Sequence, residues 1–334
     1  MLRVALAGAG LIARLVHLPN LAALPGVAVV GVADPDEARA REAAAPFPTA
    51  RAYASAEAML DEAAPDALIL CAPPFARGDL VAWAAGRGVH LYVEKPAALT
   101  LAEARRDLAA VERAGVVAAL GHMWRSTSAA RAMAAALRDA PGPATAITGR
   151  LLNGPPGPAW SFDAALSGGL LVEFGSHLLD AMRAVGGPVA EVSGVGAHVT
   201  PDPDGRRGPD TALLTLRFAS GAVGTAHVTW AHYSAAWDVL ALTPHGPLHW
   251  HLGPERLEGP VATAGPDLPP EGTPWHGFGG PSWRNALAGF LDAVRARDPS
   301  AVACSFRDGA NTLALALAAR EAIWSGRAVA PEPV

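Results

Sequence analysis

The sequence predicts an α/β protein that opens with a doubly wound parallel sheet, and three observations carry that prediction. From residue 2 to residue 121, short apolar runs alternate with helical stretches, the pattern of parallel strands joined by crossover helices. The first run, Leu2 to Ala7, feeds a glycine turn, Gly8-Ala9-Gly10-Leu11-Ile12-Ala13, that opens a helix. From Val189 the texture changes to strands separated by short turns, so a second, sheet-built region follows. The expected division is a first domain over residues 1–121 and a second α/β domain over 122–334.

The totals agree with two packed domains, the default at 334 residues. A composition 51% hydrophobic and 17% charged permits full cores and argues against disorder. A net charge of −5, with Arg105–Arg106 and Arg206–Arg207 as isolated basic pairs, gives no footprint for nucleic acid. Cys71 and Cys304 are too few for a disulfide framework and lack metal-site spacing, which fits a reducing cytoplasm. The strand pattern starts at residue 2 with no leader-like segment, and no apolar run is long enough to span a membrane.

Within the glycine turn, Gly8 allows the tight bend and Gly10 lets the backbone approach a pyrophosphate at the helix N-terminus, beside Leu11 and Ile12. Ala13 permits close helix–strand packing. The next strand, Val27 to Ala33, ends at Asp34, where an acid bonds a ribose 2′-hydroxyl and repels a 2′-phosphate. Pro35, Asp36 and Glu37 supply no compensating arginine, so NAD is expected over NADP. Asp34 has a plainer reading as an N-cap for the helix from Pro35, and the two are compatible. His17, on the first helix, is within reach of the cofactor, but reads first as a structural histidine.

Ala56 to Glu62 is a helix, and Asp66 to Ala72 is a strand stopped by Pro73-Pro74. That rigid corner suits a wall beside a nicotinamide ribose, or is simply a strand stop. After a helix over Leu80 to Arg87 comes Val89-His-Leu-Tyr-Val-Glu-Lys-Pro96, a buried strand that ends at an acid, a base and a proline. Ligands in open α/β sheets sit outside the carboxyl ends of strands, so Glu94 and Lys95 stand where a ligand would be. Lys95 is the one lysine among 26 Lys and Arg residues. Arginine cannot be deprotonated, whereas lysine shifts its pKa readily when buried, so a lone lysine suggests chemistry closed to arginine. The alternative is a surface ion pair. Thr100 and Glu103 form a capping box, and Val116 to Gly121 is the last strand of the alternation.

His122, Trp124 and Arg125 follow at the domain junction, where Trp124 either lines a cleft or packs an interface. Ser126 to Ala140 is a helix and Thr145 to Leu152 a strand leading into a Gly/Pro loop from Asn153, with Trp160, Phe162 and Asp163 at its far end. An aromatic-plus-acid loop suits a polyol or sugar, though loop anchoring explains the same residues. Gly168-Gly-Leu-Leu-Val-Glu173-Phe-Gly-Ser-His177-Leu-Leu-Asp180 has helical period, with Glu173 and His177 at i and i+4 and Asp180 extending that face. A carboxylate beside an imidazole can orient it and stabilise its protonated form, as a general base needs. No third ligand follows at metal-site spacing, so no metal is expected.

Thr211 to Phe218 and Ala222 to Trp230 read as a hairpin about Ser220-Gly221, and Trp237 to Thr243 and Pro247 to Leu252 as another about His245-Gly246. Ala212, Leu214, Leu216 and Phe218 share one face, which meets helices; the opposite face is mixed and hints at a partner subunit. Gly259 to Pro281 is a loop suited to a flap, and Ser282 to Arg297 and Asp308 to Ser325 are closing helices. Trp230, His232, Tyr233, Trp275 and His276 are further residues within possible reach of a substrate.

With G-A-G-L-I-A, V-E-K-P and G-G-L-L-V-E-F-G-S-H-L-L-D in this order, the chain resembles the glucose–fructose oxidoreductase/inositol dehydrogenase (Gfo/Idh/MocA) family over essentially its whole length. The resemblance implies an N-terminal Rossmann domain and a C-terminal α/β domain on an open, mostly antiparallel mixed sheet, whose open face makes homodimers or homotetramers. It implies NAD(P)-dependent oxidation or reduction of sugars, polyols or related carbonyls. The family lysine falls on Lys95 and the family histidine on His177; the family aspartate four residues earlier is Glu173 here.

The resulting expectation is a cytoplasmic NAD-dependent dehydrogenase or reductase. His177 takes the hydroxyl proton, Lys95 polarises the same oxygen, and Glu173 orients His177. Cofactor contacts are expected from Gly8, Gly10, Leu11, Ile12, Asp34, Ala72, Pro73, Pro74, Glu94, Lys95 and His122, and substrate contacts from Lys95, Trp124, Arg125, Asn153, Trp160, His177 and Asp180. Two alternatives are a glycoside-cleaving enzyme that uses NAD for transient oxidation and a non-catalytic dinucleotide-sensing regulator.

Overall fold

The computed structural model describes residues 1–154, 157–202, 205, 208–232, 236–252, 255–260, 262–264 and 280–334. Tyr233, Trp275 and His276, and most of the expected flap, lie outside the described residues. The chain forms two compact units. The first comprises Met1–Ala98, Ala102–Ser126 and Leu268–Asp308; the second comprises Leu99–Leu101, Thr127–Asp267 and Gly309–Val334.

In the first unit, the chain runs β1 (Leu2–Ala7), α1 (Leu18–Ala23), β2 (Val27–Ala33), α2 (Glu37–Ala44), β3 (Arg51–Tyr53), α3 (Ala56–Ala63), β4 (Ala67–Leu70), α4 (Leu80–Gly86), β5 (His90–Val93), α5 (Leu101–Ala114) and β6 (Ala118–Leu120). A π-helical turn, Ala13–His17, precedes α1. The six strands form one parallel sheet in the order β3-β2-β1-β4-β5-β6, so the strand order reverses between β1 and β4, where doubly wound sheets take their ligands. β4 is buried along its whole length because helices cover both faces, which explains its unbroken apolar sequence. The helix Pro281–Ala296 also belongs here. Its Leu287, Phe290 and Leu291 join Val4, Leu6 and Tyr92 in one core, with the Phe290 and Tyr92 rings 5.7 Å apart. Each such side chain contributes about 1.5–3 kcal/mol on full burial.

In the second unit, α6 (Ser128–Arg138), β7 (Ala146–Leu152), α7 (Ala164–Ser167) and α8 (Ser176–Gly186) lead to β8 (Val189–Ala197), β9 (Thr211–Phe218), β10 (Val223–Thr229), β11 (Ala236–Thr243), β12 (Gly246–Leu252) and β13 (Glu255–Glu258). The strands form a mixed sheet in the order β13-β12-β11-β7-β10-β9-β8, parallel only between β7 and β10. Both expected hairpins form, β9–β10 and β11–β12. Ala212, Leu214, Leu216 and Phe218 are buried, while Leu213 on the opposite face is 51% exposed. α8 closes the buried face so tightly that a Cβ at Gly149 of β7 would meet Leu178 and Met182 at 2.8 Å. Among the described residues, no helix is long and apolar enough to cross a membrane.

Candidate functional site

In the first unit, the residues expected to hold a dinucleotide cluster at the carboxyl ends of β1, β2, β4 and β5. Gly8 has φ of 93°, and a Cβ there would lie 2.5 Å from the Ala72 backbone nitrogen, so the ends of β1 and β4 meet at a distance only glycine permits. At Gly10 nothing lies within 4 Å of a Cβ position, which leaves the turn open to a pyrophosphate. Leu11 is exposed, Ile12 half-buried and Ala13 fully buried. These features fit a bound dinucleotide.

Asp34 is buried. Its Oδ2 accepts from the Ala9 amide at 2.8 Å and its Oδ1 from the Asp36 amide at 2.9 Å, tying the glycine turn to the end of β2. The capping role falls to Asp36 instead, whose side chain accepts from the Ala38 and Arg39 amides. One expectation is corrected here. An arginine does accompany Asp34: Arg39 Nη2 lies 3.6 Å from Asp34 Oδ1. Its Nε donates to Asp36 Oδ2 at 2.9 Å, which holds the guanidinium at the start of α2 rather than letting it run along the helix surface. A carboxylate offers about four lone-pair sites, so Asp34 retains capacity for a ribose hydroxyl.

Ala72, Pro73 and Pro74 follow β4 and are half-buried. Arg77, which the sequence reading passed over, clips this corner to the next strand end. Its Nε donates to the Ala72 carbonyl at 2.9 Å, and its other nitrogens donate to the Pro96 and Lys95 carbonyls. No local pattern marks an arginine after a double proline for this duty. At the end of β5, Glu94 is buried, and its Oε1 lies 2.7 Å from Nε2 of the fully buried His17. The Lys95 amide donates to Glu94 Oε2 at 3.2 Å. Gly121 leaves space for this carboxylate, since a Cβ there would sit 2.9 Å from Oε2. Burial by itself would raise the Glu94 carboxyl, but the His17 hydrogen bond and charge, with Lys95 and Arg77, hold it below the usual range. Lys95 is half-buried. His122 and Trp124 are buried, and Arg125 lies 3.7 Å from Asp308.

In the second unit, a π-helical turn, Leu170–Gly175, passes directly into α8. The periodicity predicts one regular helix here; the structure widens its first turns, a device often found at functional sites. Leu170, Leu171, Val172, Leu178 and Leu179 are buried, and Glu173 and His177 are half-buried. Asp180 is only 2% exposed. The Thr312 hydroxyl donates to Asp180 Oδ1 at 2.9 Å and accepts from Arg183 at 2.6 Å, so Asp180 pins α8 to the helix Phe306–Ser325. The Asn153 amide donates to the Thr229 carbonyl at 3.0 Å. Trp160 is half-buried on a short turn, Ala159–Phe162, whose Phe162 ring lies 5.8 Å from Trp230.

Residues 2–122 match the profile of the "Oxidoreductase family, NAD-binding Rossmann fold", and residues 130–243 match the "GFO/IDH/MocA C-terminal domain". The chain belongs to the Gfo/Idh/MocA oxidoreductase family. Its first unit is therefore a NAD-binding Rossmann fold. A D-apiose dehydrogenase of Paraburkholderia graminis is 31% identical over 69% of this chain and 61% of its own length. A myo-inositol 2-dehydrogenase of Thermotoga maritima is 26% identical over 67% of each chain. The chain thus matches about two thirds or less of the length of these curated relatives. A crystal structure of a myo-inositol dehydrogenase from Corynebacterium glutamicum superposes with a TM-score of 0.82, at 25% identity and over 100% of both chains.

Proposed function

We propose that this Gfo/Idh/MocA protein transfers a hydride between the nicotinamide of NAD and a carbinol carbon of a sugar, an inositol-like polyol or a related carbonyl compound. The observation that carries the reading is the chain's one lysine, Lys95, held at a ligand-binding strand end by Glu94 and Arg77 in a NAD-binding family. The relatives' names, apiose and inositol dehydrogenases, support the substrate class. Bound NAD supplies the hydride acceptor. Lys95 polarises the reacting oxygen and helps pass its proton on. His177 takes the hydroxyl proton, and Glu173, one methylene longer than the aspartate of the family pattern, orients His177 and stabilises its protonated form.

The glycine turn, Asp34, the Ala72–Pro74 corner, Glu94 and His122 serve the cofactor. Trp124, Arg125, Asn153 and Trp160 serve the substrate, and Asp180 holds α8 in place for His177. Asp34 favours NAD over NADP. The open face of the second sheet, with Val195, Leu213 and Val223 each more than half exposed, takes a second copy of the chain. Cys71 and Cys304, both buried thiols, support a reducing compartment such as the cytoplasm.

A panel of sugars and inositols, followed with NAD and NADP at nicotinamide absorbance, tests the reading. Net NADH from at least one of them is expected. Cleavage of an aryl glycoside without net NADH would instead identify a transient-oxidation glycosidase.

A further inference from the structure

The open face of the second sheet is ordered in rows. Following the strand pairings across it, one row reads Val195, Leu213, His227, Arg150, Asp238, His251 and Arg256. The adjacent row ends in Leu240, His249 and Glu258. His249 and His251 are two apart on β12 and so project from the same face, one in each row. Their rings lie against each other, with centroids 3.9 Å apart. Glu258 is the cross-strand partner of His249, yet its Oε2 reaches diagonally to His251 Nε2 at 3.3 Å. Asp238 reaches diagonally in the other direction, 3.3 Å from His249 Nε2. One ligand atom from each of His249, His251 and Glu258 falls within 4.8 Å of the other two.

We propose that His249, His251 and Glu258 bind a divalent transition metal of the zinc class. Two imidazoles and one carboxylate, with an open position for water, are a donor set such ions take. Asp238 beside His249 supplies the outer carboxylate that orients a metal-bound imidazole. Arg150 bonds Asp238, and Arg256 bonds Glu258 through Oε1 at 2.6 Å. The two arginines offset the two carboxylates and so reduce the net negative charge that would draw a cation. The site lies on the two strands at one edge of the sheet and shares no residue with the proposed catalytic groups Lys95 and His177. Cysteine counting and the His177 helix give no sign of it, because its ligands become neighbours only through the β12–β13 pairing.

The test is titration of the full-length chain, stripped with a chelator, with Co²⁺ followed by visible absorption and with Zn²⁺ by competition. One equivalent should bind, and His251→Gln should weaken it at least tenfold while leaving the metal-free melting temperature unchanged. His245→Gln, an exposed histidine in the preceding turn, should bind as the parent does. Titrating the parent while observing its histidine ring resonances removes dependence on the variant's folding, and those of His249 and His251 should shift together. Absence of saturable binding, equal affinity in His251→Gln, or shifts confined to other histidines would overturn the proposal.

Discussion

His17 Nε2 and Glu94 Oε1 lie 2.7 Å apart, with the His17 side chain fully buried and that of Glu94 at 9% exposure. This one contact joins the helical segment after the glycine turn to the strand end that carries Lys95. Glu94 is held below the usual carboxyl range, so its contribution to stability is present above the unfolded value near 4.5 and is lost as pH falls through the lower folded value. Glu94→Gln should therefore flatten the acid limb of the melting-temperature profile. Glu94→Ala, which strands His17, should cost about 3–5 kcal/mol at neutral pH. An unaltered acid limb in Glu94→Gln would show that other carboxyls govern acid unfolding.

The two glycines of the turn should separate folding from binding. Gly8→Ala combines a left-handed φ with a 2.5 Å approach to the Ala72 backbone, so it should lower stability by about 2–5 kcal/mol. Gly10→Ala meets nothing within 4 Å and should melt as the parent does while binding NAD more weakly. Thermal melts paired with NAD titration read both outcomes.

The contrast between these glycines marks how far the sequence could be read. The alternation of strands and helices, both hairpins and the buried face of β9 follow from local periodicity, which backbone geometry imposes residue by residue. The destination of the helix Pro281–Ala296 does not, since periodicity marks an apolar face without naming what it packs against. Arg77 and Arg39 were illegible for a similar reason. Their duties depend on chain segments brought together by the fold, Ala72 with Lys95 in one case and Asp34 in the other. The π-helical turn before His177 was also hidden, because i, i+4 spacing looks alike in a regular and a slightly widened helix.

Asp34 and Arg39 together set the cofactor prediction. The parent should bind NAD at least tenfold tighter than NADP, about 1.4 kcal/mol, since Asp34 faces a 2′-phosphate with like charge. Asp34→Ser should narrow that gap with Arg39 present and not in the Asp34→Ser/Arg39→Ala double variant. Equal affinities for both dinucleotides in the parent would leave Asp34 as a tie for the glycine turn only.

Glu173 tests the second unit. Glu173→Gln should lower kcat by tenfold or more with little change in NAD affinity, and Glu173→Asp should retain activity because the family pattern carries aspartate there. Removing the charge should also lower the apparent pKa of the basic group in the kcat profile, since a carboxylate favours the imidazolium. Parental turnover and an unmoved profile in Glu173→Gln would take Glu173 out of the mechanism.

The central claim is that Lys95 does chemistry rather than pair charge, and Lys95→Arg addresses it most directly. Exposed ion pairs contribute only about 0–1 kcal/mol, so a charge-pairing lysine would tolerate the replacement. A guanidinium is bulkier and stays protonated, so a lysine that polarises an oxygen and relays a proton would not. General acid–base groups contribute about 10²–10⁴-fold. The measurement is kcat of the purified Lys95→Arg enzyme with its best sugar or polyol, beside NAD affinity and melting temperature. The account predicts retained folding and NAD binding with kcat reduced at least a hundredfold; a folded, NAD-binding variant with near-parental kcat would contradict it.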